Sequence, residues 1–176
     1  MRLIVVCPLL ALLTTVPAAA QHDHGGHGSP YAGQQDRAIK ALAPEEAEGL
    51  AAGAGLGYAK AAELNGWPGP LHVLELRDEL GLEPDQVVAV ERVYRSMHAE
   101  AVELGEAILR EEAELQALLL EPTPPADRVR ERTVAIAELE GRLRAVHLVA
   151  HLRTRPLLTQ AQVERYITLR GYREEG

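Results

Sequence analysis

The chain has 176 residues, 47% of them apolar, and a formal charge of −8 from 18 basic and 26 acidic side chains. That length fits one domain with a tail and excludes a large multidomain enzyme. With no Phe, one Trp and five Tyr the core must be aliphatic. An acidic balance without basic clusters argues against a nucleic-acid partner, because phosphate binding needs clustered cations. All the cations except Lys40 and Lys60 are Arg, interspersed with Glu in the manner of solvated helix faces.

Residues 1–20 read as a secretory signal, with Arg2 as the positive end, Leu3 to Val16 as the apolar stretch and Ala18-Ala19-Ala20 as the cleavage site. The apolar run is short of the roughly 20 residues that span a bilayer, and no later segment is a candidate span. Cleavage removes Cys7, the only thiol, and predicts an exported, periplasmic product with no membrane span. Residues 21–35 are rich in Gly and His without apolar periodicity, which predicts a flexible arm. Residues 36–70 predict short helices interrupted at Pro44 and around Gly53, Gly55 and Gly57, with a hard stop at Asn65-Gly66-Trp67-Pro68-Gly69-Pro70.

The remainder, residues 71–176, carries the clearest pattern. A short helix is expected from Leu71 to Leu80, closed by Gly81. From Val87 apolar residues recur at 87, 90, 94, 97, 101, 104, 108, 115 and 118, a heptad seam that predicts a helix over 84–121, roughly 55 Å long at 1.5 Å per residue. Pro122-Thr123-Pro124-Pro125 breaks it. A second seam at Val129, Ile136, Leu139, Leu143, Val146 and Ala150 runs on to Pro156, and a last helix spans 160–170 before Gly171. Two long helices joined by so short a turn fold back on each other. The expected fold is all-α: a long antiparallel helical hairpin with shorter flanking helices. Its single stripe per helix leaves apolar surface for a second copy, so a homodimer, a dimeric cradle, is expected.

Leu158-Thr159-Gln160-Ala161-Gln162-Val163 is a capping box, with Thr159 as N-cap, Gln162 reaching back, and Leu158 and Val163 set to staple across it. Leu82-Glu83-Pro84-Asp85-Gln86-Val87 repeats the frame, with Glu where Thr caps best. Leu-Thr-x-x-Gln placed around a long hairpin behind a signal peptide resembles the Spy/CpxP family of periplasmic stress proteins. That family includes zinc-resistance-associated proteins and periplasmic heavy-metal sensors. Residues 158–162 match the motif fully, and residues 82–86 match it at Leu and Gln only. The stretches Ser29-Pro30-Tyr31-Ala32-Gly33-Gln34 and Ala61-Ala62-Glu63-Leu64-Asn65-Gly66-Trp67-Pro68-Gly69-Pro70 resemble the N-terminal region of exported heavy-metal sensors. The resemblance implies a non-enzymatic protein that either holds unfolded clients without ATP or binds transition metals, with clients or an envelope sensor protein as partners.

Seven His suit Zn, Cu, Ni or Co, and a site needs three or four donors converging. His22, His24 and His27 sit on the Gly-rich arm, where they read either as weak metal capture or as a polar tail. A fold-back centred between residues 122 and 123 sets His98 opposite His147, with His151 one turn further along the same face. These three predict a metal site completed by Glu100 or water, near Met97 and Tyr94. The competing reading is three histidines packed along the flank of the coil. His72 reads as structural. Enzymatic signatures are missing: His147-Leu-Val-Ala-His151 lacks the Glu of a zinc protease, and no Glu-x-x-His pair, nucleophile elbow, phosphate loop or dinucleotide fingerprint occurs.

Overall fold

The computed structural model describes residues 29–173. The signal sequence and His22, His24 and His27 lie outside the described residues. The chain divides into two units, residues 1–33 and 34–176. In the first, only a turn at residues 29–33 is described, closed by the Ala32 amide donating to Ser29 O at 3.0 Å. The second holds helices α1 (Pro44–Ala51), α2 (Lys60–Leu64), α3 (Pro70–Glu75), α4 (Pro84–Leu119), α5 (Ala126–Thr154) and α6 (Gln160–Leu169), with a 3-10 turn at Arg155–Leu157. Among the described residues there is no strand, and no helix is long and apolar enough to cross a membrane.

The long helices follow their seams. Val90, Ala101, Leu104, Ile108 and Leu118 of α4 are buried, as are Ile136, Leu143 and Ala150 of α5. The register follows the fold-back centre expected from the prolines. Arg132 bonds both Glu111 and Glu114 at 2.8 Å, one residue to the far side and one to the near side of the pair opposite it. At the other end, Gln86 near the start of α4 donates to Leu157 O, just past α5, at 2.8 Å. The start of one long helix therefore lies beside the end of the other.

Three short elements depart from the expected pattern. Pro44 opens α1 instead of breaking a helix, because the first turn has no use for a proline N–H. Residues 36–43 form turns. Helix α3 stops at Glu75 rather than Leu80, and the chain turns through residues 76–82, with the Leu82 amide donating to Arg77 O at 3.0 Å. Leu76, Leu80 and Leu82 all pack on one core, a spacing that a straight helix would spread around its circumference.

Two apolar clusters result. Leu42 and Leu50 pack on Ala101, Leu104, Ile108 and Leu143, which docks the α1 region on the long helices. Val73, Leu80 and Val90 pack with Leu158, Val163 and Tyr166, which docks α3 and α6 at the other end. The first contact depends on Gly105, where a Cβ would lie 2.0 Å from Leu50 O. Between the clusters, α2 and its flanking loops cross the long helices beside the histidines.

Candidate functional site

The i, i+4 spacing of His147 and His151 puts both on one face of α5, and the register brings His98 of α4 alongside. All three line one open cavity of about 730 Å³, together with Met97, Tyr94 and Glu63. Its far wall is the glycine-rich loop at residues 52–57, with Leu64 and Leu71 beyond it. The opposed positions read from the sequence thus share a wall.

His147 is only 4% exposed, and its Nε2 has no hydrogen-bond partner. Its ring lies parallel to that of Tyr58, with centroids 6.1 Å apart. Burial pushes its pKa below the ordinary imidazole value, and the neighbouring His151 pushes the same way, so the ring is neutral with a donor position unused. His151 is buried too, with Nδ1 2.7 Å from Trp67 O. A carbonyl only accepts, so Nδ1 carries the proton and Nε2 of the neutral ring keeps its lone pair. A Cβ on Gly69 would stand 2.8 Å from His151 Cε1, so only glycine fits beside that ring. His98 is half-buried, its ring centroid 5.6 Å from that of Tyr94.

Glu63, on α2, is a buried carboxylate that sequence reasoning did not single out. Its Oε1 accepts a short hydrogen bond from the Tyr166 hydroxyl, one from Arg170 Nε at 3.3 Å and one from the Tyr172 hydroxyl at 3.2 Å. Burial, with the Glu63 bond adding to it, raises the Tyr166 pKa far above the usual phenol value, so the hydroxyl stays protonated as donor. Glu63 Oε2 is 3.6 Å from His151 Nδ1 and has no hydrogen-bond partner. The only local hint in sequence is an acid inside Ala61-Ala62-Glu63-Leu64, and its partners lie about a hundred residues further on.

Glu100, expected as a fourth donor, is exposed and lines a different groove with Arg142 and Arg153. His72 also reaches the cavity, while its Nδ1 pairs with Glu75 Oε2 at 2.8 Å. Among the described residues no group of three or more His, Cys, Asp or Glu is placed so that it could hold a metal ion as it stands. The three histidines share a wall without converging on a point. No protein-family model, curated protein or solved structure matches this chain.

Proposed function

We propose that this is an exported periplasmic protein of the Spy/CpxP type that binds a divalent transition-metal ion, Zn, Cu, Ni or Co, in the cavity beside His98, His147 and His151, to sequester or to sense it. The reading rests above all on the buried, unpartnered Nε2 of His147. Leaving such a group without a partner costs about 1–3 kcal/mol, and an absent ligand is one of the few things that explain it. His151 adds the arrangement usual for metal-ligating histidine: Nδ1–H donated to a backbone carbonyl, Nε2 left as the donor. Neutral imidazoles and the Met97 thioether suit borderline and soft ions over calcium or magnesium. Side-chain rotation from the shared wall completes the site.

Assignment to the Spy/CpxP type, with the long helices as the hairpin of a dimeric cradle, is supported by Leu158-Thr159-x-x-Gln162 and its partial copy at 82–86. Export is supported by the leader-like residues 1–20, and an auxiliary role for His22, His24 and His27 by their glycine-rich setting. No catalytic role is proposed.

A second reading, an ATP-independent chaperone holding unfolded clients in envelope stress, is favoured by one observation. Leu119 and Leu120 at the end of α4 and Val134 on α5 are large apolar side chains more than half exposed. Suppressed aggregation of a denatured protein at stoichiometric ratio supports that reading, and unchanged light scattering counts against it.

Calorimetric titration with the four metals tests the leading reading. Binding tighter than about 100 μM, about −5.5 kcal/mol, is expected, with loss of that affinity in a His98/His147/His151 triple alanine variant lacking the arm. Equal affinity in that variant rejects it.

A further inference from the structure

The carboxylate of Glu63 is used on one side only. Three donors from the C-terminal end of the chain, Tyr166, Arg170 and Tyr172, converge on Oε1. Oε2 is buried, unpartnered and part of a side chain that lines the histidine cavity. A carboxylate oxygen withdrawn from water without a partner is costly, and more so than a neutral group. The nearest polar hydrogen belongs to His151 Nδ1, but that proton is directed to Trp67 O at 2.7 Å. Nothing in the fold therefore satisfies Oε2, whereas a cation in the cavity would.

We infer that Glu63 is the anionic ligand of the metal site and that it links occupancy of the cavity to docking of α6. The inference rests on the metal-binding reading above and adds to it a ligand and a consequence. Tyr166, Arg170 and Tyr172 are positioning residues: they hold Oε1 and so aim Oε2 into the cavity. Hydrogen bonds of this kind to a ligating carboxylate are worth about 10–100-fold in metal affinity. Binding free energies are reciprocal, so whatever α6 contributes to metal affinity the metal returns as firmer docking of α6. The ion then acts as a staple between α2, α5 and the C-terminal helix. A site built from His98, His147 and His151 alone would leave α6 indifferent to metal.

The test uses the whole chain and whichever of Zn, Cu, Ni and Co it binds most tightly. Two readouts are needed: affinity by calorimetry, and amide hydrogen exchange over residues 160–172 with and without metal. The wild type should show slower exchange in that segment on metal addition. Glu63→Gln keeps the shape and an acceptor oxygen but lacks the charge. It should bind about 10-fold more weakly or worse, with exchange in α6 no longer responding. Tyr172→Phe, at a partly exposed position, should fold normally and still lose several-fold in affinity. If the metal binds the wild type and both variants equally, or if α6 exchange ignores the metal, the coupling is overturned and the histidine site stands. If none of the four metals binds the wild type, the metal-binding reading itself fails and takes the coupling with it.

Discussion

Gln86 and Gln162, the two glutamines of the repeated helix-start motif, bond each other through both ends of their amides. Gln86 Nε2 donates to Gln162 Oε1 at 2.9 Å, and Gln162 Nε2 donates to Gln86 Oε1 at 3.0 Å. Each oxygen also accepts from the backbone amide of its own cap residue, Glu83 at 3.0 Å and Thr159 at 2.9 Å. Each nitrogen also donates across to the other motif, Gln86 to Leu157 O at 2.8 Å and Gln162 to Gly81 O at 3.3 Å. Leu157 and Gly81 stand five residues before their own glutamines, so the pattern has local two-fold symmetry. The motif caps two helices and clasps them together.

Replacing either glutamine by Ala should therefore cost about 1–3 kcal/mol, since it leaves the partner amide and a cap amide unmatched. The double variant should cost less than the two single effects added, by about 0.5–3 kcal/mol. Urea unfolding of the four proteins in the cycle measures this; strict additivity would show that each glutamine serves only its own helix.

Much of this architecture was legible beforehand, and the part that was not has a common cause. The seams of α4 and α5, the proline turn and the Thr159 box follow from local periodicity and capping, so the facing of His98 and His147 could be read from register. The Gln86–Gln162 pair looked like two independent caps because each box is complete in its own neighbourhood. Glu63 went unnoticed because its environment is made by Tyr166, Arg170 and Tyr172, and no spacing in α2 announces them. Pro44 looked like a breaker because starting and breaking a helix differ only in what precedes the proline.

Gly105 fixes the approach of α1 to α4. Gly105→Ala puts a methyl group on Leu50 O, a backbone atom that cannot swing away, and should destabilise by about 1–3 kcal/mol. Hydrogen exchange should rise first in α1. Exchange there no faster than in the wild type would show that α1 docks by its apolar side chains alone.

Burial raises the pKa of Glu112, and the nearby Glu140 and Glu46 add to the effect. A carboxyl whose folded pKa lies above its unfolded value of 4.5 weighs against folding once pH passes through that interval. Glu112→Gln should consequently melt higher than the wild type at pH 7. The difference should shrink to nothing as pH drops below the ordinary carboxylate range. A variant that melts lower at pH 7 would contradict this.

The lowered pKa of His147 works in the other sense. Its folded value lies below 6.5, so its neutral burial costs nothing above that pH, and stability falls as acid protonates the unfolded chain first. Melting temperature should decline between pH 7 and pH 5 by more in the wild type than in His147→Gln. Parallel curves would show that His147 is not held neutral. Bound metal should blunt the same decline, because it occupies the nitrogen that the proton seeks.

The most direct measurement is X-ray absorption at the edge of the bound metal in the loaded chain. Imidazole scattering from at least two histidines, with an oxygen neighbour that disappears in Glu63→Gln, is the expected result. A spectrum of water or carboxylate oxygens alone, unchanged when His147 and His151 are both replaced by Ala, would contradict a histidine-lined metal site between α4 and α5.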